Sequence, residues 1–164
     1  DRGGYARYDT TDTGLIAALI ATSSAPSFSS AVIETLHLLE GAFSILILHD
    51  GAVYAAKDRH GIRPLCIGKT DMHYVVASES VALDNLRAKY LGEIGPGRMV
   101  YIGPNKAEPT YIHWSMSPKE RACIFETIYF SRPESLGAGG GRVALLRKQM
   151  GAEAARILRP CATS

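Results

Sequence analysis

Residues Phe43 to Ala56 read FSILILHDGAVYAA: an apolar run from Phe43 to Leu48, then Asp50-Gly51, then Ala52-Val53-Tyr54-Ala55-Ala56. Short apolar runs rich in β-branched and aromatic residues read as strands, and the first reads as mostly buried. Asp-Gly between two such runs is a two-residue hairpin turn, because glycine takes a positive φ without a Cβ penalty. An antiparallel hairpin is therefore the element from which the rest of the chain is read.

Downstream comes a turn of unusual composition, Ala55-Ala56-Lys57-Asp58-Arg59-His60-Gly61-Ile62-Arg63-Pro64-Leu65. Leu65 to Gly68 is the next strand, then a polar turn from Lys69 to His73, then a strand from Tyr74 to Ser78. Val81 to Leu86 reads as a short helix. Arg98 to Ile102 follows the Gly95-Pro96-Gly97 turn as another strand, and Tyr111 to Trp114 as a further one. Upstream, Asp12 or Thr13 is expected to cap a helix over 14–21, broken by the stretch from Thr22 to Ser27. Ser29 or Ser30 opens a second helix with Val32, Leu36 and Leu39 at helical spacing. A last helix is expected from Val143 to Leu158, after a flexible loop at Gly139-Gly140-Gly141. Hairpin strands with helices packed on them imply an α+β fold with antiparallel sheets.

The totals bound the function. The 164 residues suffice for one domain with a real core, and 46% apolar with 21% charged residues is ordinary. A net charge of +2 with scattered basic residues demands no nucleic acid and no membrane partner. Cys66, Cys123 and Cys161 lie far apart without C-x-x-C spacing, which points to a reduced, cytoplasmic setting. No apolar run approaches the roughly 20 residues of a membrane span. The first residues are polar and there is no initiator Met, so a fragment is expected.

Spacing alone yields no catalytic set. His60 and His73 lack metal-ligand spacing, so they read as surface histidines and no metal is assigned. The glycines from Gly137 to Gly141 do not form a phosphate loop. Cys66 and Cys123 sit in apolar surroundings and read as buried structural thiols. No Gly-x-Ser-x-Gly elbow occurs.

Several stretches together carry a resemblance. Leu39-Glu40-Gly41-Ala42-Phe43-Ser44 resembles the GAYS strand of glutamine amidotransferase domains of the N-terminal-nucleophile class (type 2). Asp58 to Leu65 resembles their DPxGIRPL segment, Ala77 to Leu83 their ASESCAL, and Glu93-Ile94-Gly95-Pro96-Gly97 the turn before the next strand. Cys123-Ile124-Phe125-Glu126-Thr127-Ile128-Tyr129-Phe130-Ser131-Arg132-Pro133-Glu134-Ser135 is similar to CxFEYxYFARPDS, the mark of the amidophosphoribosyltransferase family. Arg147-Lys148-Gln149-Met150-Gly151 resembles the RxxMG helix that follows.

The resemblance implies a four-layer α/β/β/α sandwich of two antiparallel sheets. It implies a parent enzyme that hydrolyses glutamine and passes ammonia to phosphoribosyl pyrophosphate, giving 5-phosphoribosylamine in the first committed step of purine synthesis. Thr10-Thr11-Asp12-Thr13 is similar to the family's TSDS, which implies that Asp12 binds the substrate's α-ammonium; a charge-assisted bond suits that pairing. Asp58, Gly61, Arg63, Pro64, Ser78, Glu79, Arg132 and Pro133 are expected to be structural, with Asp58 and Arg63 pairing across their turn. The class uses an amino-terminal Cys, implied to lie upstream, so no catalytic residue is assigned and the chain alone is expected to be inactive. An exposed sheet edge is expected where upstream strands would pair.

Residues 1–135 are read as the amidotransferase part, and 136–164 as a linker and helix toward a phosphoribosyltransferase domain. The parent is expected to be a homo-oligomer with Mg2+ at its phosphoribosyltransferase site. In one branch of the family Cys123 corresponds to one of four iron–sulfur ligands, and no cluster is assigned here. An asparagine-synthetase-like domain and a non-catalytic binding module are the alternatives.

Overall fold

A computed structural model describes residues 11–104, 107–116, 120–137 and 139–158. Strands β1 (Ser44–His49) and β2 (Ala52–Lys57) pair antiparallel around Asp50 at φ +47° and Gly51 at φ +72°. Two consecutive positive φ values give the turn whose twist matches the strands. The remaining strands are β3 (Cys66–Lys69), β4 (Tyr74–Ala77), β5 (Lys89–Glu93), β6 (Arg98–Ile102) and β7 (Thr110–His113). They form a larger sheet in the order β1-β2-β6-β7 and a smaller one in the order β4-β3-β5. Every pairing is antiparallel.

Strand alternation builds the layers. Tyr54 and Ala56 of β2 and Met99 of β6 face helices α1 (Asp12–Thr22) and α2 (Phe28–Leu38), against Ile20, Val32 and Leu36. Ala55 and Val100, one residue out of phase, pack with Leu65, Ile67 and Ile94 between the two sheets. Cys66, out of phase with Ile67, faces Leu83 of α3 (Ser80–Asn85) on the outer side of the smaller sheet. The expected α/β/β/α sandwich follows directly from these three clusters.

Local details differ from expectation. The cap of α1 is Thr11, whose Oγ1 accepts the Gly14 N–H at 3.1 Å, and not Asp12 or Thr13. Ser27 caps α2 by accepting the Ser30 N–H, so that helix starts at Phe28 and ends before Leu39. Strand β1 is not buried on both faces. Its Ile45 and Ile47 pack toward the helices, but Leu46 and Leu48 are 54% and 76% exposed. Among the described residues β1 has β2 as its only partner strand, and the smaller sheet does not cover the Leu46 and Leu48 face of β1. Strand β5 and a π-helical turn at Glu126–Phe130 are additional elements. The last helix, α4 (Val143–Leu158), has the expected limits. Before it, the Gly137 N–H donates to the Gly141 carbonyl and the Gly140 N–H to the Gly137 carbonyl, so the expected glycine loop closes a hydrogen-bonded turn. Thr10 and the tail from Arg159, with Cys161, lie outside the described residues.

Candidate functional site

The turn after β2 is organised by one buried carboxylate. Asp58 is fully buried, and its Oδ1 accepts the N–H groups of His60 (2.7 Å) and Gly61 (2.9 Å). Its Oδ2 accepts those of Phe43 and Ile62, both at 3.2 Å. A buried charge must be satisfied, and here four backbone donors do it. The expected Asp58–Arg63 pairing is therefore not formed: the carboxylate is already fully engaged. Gly61 sits at φ +66°, and a Cβ there would stand 2.8 Å from Pro96 Cγ. The position excludes a side chain twice over, once by backbone geometry and once by space.

Arg63 turns away to a residue far along the chain. Its guanidinium donates to Glu126 Oε2 at 3.0 Å and lies 5.2 Å from the centroid of the Phe130 ring. Burial pushes the Glu126 carboxyl above its ordinary range; Arg63 pulls it down, and nearby Glu79 pushes it up. Glu79, just before α3, bonds onward. Its Oε2 accepts the Arg132 N–H and the Ser135 hydroxyl, both at 2.7 Å. Ser80 Oγ accepts the Leu136 N–H, and the Pro133 carbonyl accepts the Ala144 N–H. The Ser78-Glu79-Ser80 stretch and the Arg132-Pro133 stretch are thus joined directly.

These groups enclose a cavity of about 440 Å³, lined by Phe43, Ser44, Arg63, Pro64, Ser78, Glu79, Glu126 and Phe130 among others. Ser44 also lines an adjoining groove of about 440 Å³ together with Thr13. Thr13 of α1 lines that groove, whereas Asp12 lines neither it nor the cavity. Asp12 is exposed, and because Thr11 caps the helix its carboxylate is not consumed by capping.

The thiols differ. Cys66 is buried, donates to the Ala77 carbonyl at 3.3 Å, and is pushed up to about 11, chiefly by burial and then by Glu93. A nucleophile needs the opposite shift. Cys123 is half-buried, not fully buried as its apolar neighbours suggest, and lines a second cavity of about 260 Å³ with Glu93, Glu120 and Glu126. Among the described residues no three His, Cys, Asp or Glu side chains gather as metal ligands. One thiol does not fit an iron–sulfur cluster, which needs four ligands. No described helix is long and apolar enough to cross a membrane.

Of the residues that frame the cavity, Glu126 was not singled out by the sequence reading, although it lies inside the CIFETIYFSRPES stretch. Only the folded chain shows that its partner is Arg63. Arg147 was likewise missed as a side chain with a partner: it donates to the carbonyls of Thr127 and Ser131.

The family model for the glutamine amidotransferase domain matches residues 1–85. The chain belongs to the glutamine amidotransferase domain family. This amidotransferase domain is 37% identical over 140 residues to the amidophosphoribosyltransferase of Bacillus subtilis, covering 85% of the chain and 29% of that protein. It is 34% identical over 148 residues to the enzyme of the same name from Mycobacterium bovis, covering 90% of the chain and 27% of that protein. The solved glutamine phosphoribosylpyrophosphate amidotransferase of B. subtilis, complexed with ADP and GMP, superposes with a TM-score of 0.84 at 36% identity. It covers 90% of the domain and 32% of that chain. A structure described as the allosteric regulatory enzyme of purine biosynthesis superposes with a TM-score of 0.83, also at 36% identity, over 88% of the domain and 30% of that chain. The domain therefore spans about three tenths of the length of these relatives.

Proposed function

We propose that this domain is the glutamine-handling part of an amidophosphoribosyltransferase. The parent enzyme hydrolyses glutamine and passes ammonia to phosphoribosyl pyrophosphate, giving 5-phosphoribosylamine. The observation that carries this reading is the seating of the Cys123–Ser135 stretch on the amidotransferase core. Arg63 holds Glu126, and Glu79 holds Arg132 and Ser135, so the family's distinguishing stretch forms one wall of the cavity.

In this reading Asp12 accepts hydrogen bonds from the α-ammonium of glutamine at the end of α1, where Thr11 leaves it free to do so. An amino-terminal Cys thiol, with its own α-amine as base, attacks the amide carbon, and backbone and Asn donors hold the oxyanion. Those groups belong to the rest of the parent, as does the phosphoribosyltransferase domain toward which residues 136–164 lead. Neither described thiol, Cys66 or Cys123, substitutes for that nucleophile in this reading.

The test uses the protein encoded by the complete reading frame. Glutamine-dependent release of pyrophosphate from phosphoribosyl pyrophosphate is expected. Asp12→Asn is expected to lower kcat/KM for glutamine at least about tenfold, since a bond to a charged group contributes about 1.5–3 kcal/mol. Glutamine-dependent cleavage of ATP with aspartate as acceptor would show an asparagine-synthetase-like enzyme and end this reading.

A further inference from the structure

The π-helical turn Glu126–Phe130 is gripped from two sides. Its defining bond runs from the Ser131 N–H to the Glu126 carbonyl at 2.9 Å. On the cavity side a single guanidinium meets both ends of the turn: Arg63 donates to the Glu126 carboxylate and lies over the Phe130 ring. On the other side Arg147 of α4 donates to the Thr127 carbonyl at 2.8 Å and to the Ser131 carbonyl at 2.7 Å. The turn leads straight into Arg132 and Ser135, which Glu79 holds. Meanwhile burial anchors it only weakly: Ile128 is 38%, Phe130 57% and Tyr129 70% exposed, and none is buried. A π turn is intrinsically disfavoured and concentrates at functional sites. With so weak a hydrophobic anchor, its shape rests chiefly on these polar grips.

We infer that Arg63 is a positioning residue that sets the π turn, and through it both the mouth of the cavity and the direction in which α4 leaves the domain. Arg63, Glu126 and Phe130 all line the cavity. A shift of the turn therefore changes the cavity's width. The same shift moves the carbonyls that Arg147 holds, so α4 follows. Only the nature of the cavity's ligand rests on the amidotransferase reading; the clamp itself stands on this geometry, and its test involves no glutamine.

The test is site-resolved amide hydrogen exchange on the protein encoded by the complete reading frame, with no glutamine present. In Arg63→Ala and in Glu126→Gln, the Ser131 amide and those of residues 127–130 are expected to exchange at least about tenfold faster. The Met99 and Val100 amides in the sheet should keep their protection. The exchanged pair R63E/E126R is expected to recover most of the loss, because attraction between the two side chains is what it restores. Unchanged exchange at Ser131 in both single variants overturns the inference. So does a pair in which the two effects simply add. If Arg63→Ala loses protection throughout the chain, Arg63→Lys and Glu126→Gln decide. A global loss in these too means that Arg63 supports the whole fold and does not position the turn.

Discussion

Phe43 and Asp58, fifteen residues apart, bond reciprocally: the Asp58 N–H donates to the Phe43 carbonyl at 3.0 Å, and the Phe43 N–H donates to Asp58 Oδ2 at 3.2 Å. The backbone half of this exchange continues the β1–β2 ladder by one step. The carboxylate half ties that ladder to the turn, because the same oxygen also accepts the Ile62 N–H. One buried side chain thus sets the relation between the larger sheet and the segment carrying Gly61, Arg63 and Pro64.

Asp58→Asn is the sharpest test of that arrangement. An amide has one acceptor oxygen, so its NH2 group would confront two backbone donors in a fully buried site. Unsatisfied buried donors cost about 1–3 kcal/mol each, and a total near 3 kcal/mol is expected. For a chain of this size that lowers Tm by roughly 6–12 °C by differential scanning calorimetry. A shift below about 2 °C would mean that the turn does not depend on the carboxylate.

Gly61→Ala combines a left-handed backbone with a contact at 2.8 Å to Pro96 Cγ. The backbone alone costs about 1–2 kcal/mol, and overpacking adds about 1–3. Urea unfolding should give a loss of about 2–5 kcal/mol. Gly51→Ala, also at positive φ but with no neighbour closer than 3.7 Å, should lose less. Equal losses would show that crowding against Pro96 is relieved at no cost.

The Lys57–Glu93 pair predicts an asymmetry. The two groups meet at 2.9 Å, but the Lys57 side chain is 3% exposed and that of Glu93 44%. Glu93→Ala strands a buried ammonium, whereas Lys57→Met leaves a carboxylate that water reaches. The first should cost on the order of 2–3 kcal/mol and the second less than about 1 kcal/mol, since the penalty lies in the uncompensated buried charge. Denaturant unfolding of the two variants checks this. A larger loss in Lys57→Met would place the stabilisation in the packing of the lysine stem.

Cys66 predicts a reactivity and a pH dependence. Its thiol is raised from 9.0 to about 11, so its thiolate fraction near neutral pH falls about a hundredfold. Iodoacetamide labelling followed by mass spectrometry should modify the half-buried Cys123 well before Cys66. Because the folded-state value is the higher, the folded chain holds its proton where the unfolded chain has lost it. The stability contribution is present below pH 9 and is lost as the pH rises from 9 toward 11. Cys66→Ala should flatten the stability profile in that window, and an unchanged profile would refute the assignment.

Much of the architecture was legible because it is local. The Asp50-Gly51 turn depends only on residues that tolerate positive φ, and α4 on its own periodicity and length. The alternation of β2 already separates Ala55 from Tyr54 and Ala56, the residues that end on opposite faces. Strand β5 escaped because Lys89-Tyr90-Leu91-Gly92-Glu93 carries charge at both ends and a glycine inside, so only pairing with β3 makes it a strand. The cap of α1 was misassigned by one or two residues because Thr11, Asp12 and Thr13 are all competent caps, and the choice depends on how the chain enters the helix.

By itself the sequence determined the hairpin, the helix periods, the order of every strand but β5 and the motifs that mark the family. Each depends on neighbours within a few residues. The tertiary structure decided which side chains meet. Asp58 is drawn to backbone amides and not to Arg63. Arg63 is drawn to Glu126, 63 residues on, and Glu79 to Arg132 and Ser135, more than 50 residues on. Such partners are chosen when the sheets stack and bury the competing groups. Burial makes every unsatisfied charge costly, so the charges settle where the folded chain supplies the donors, and spacing along the chain does not record that outcome.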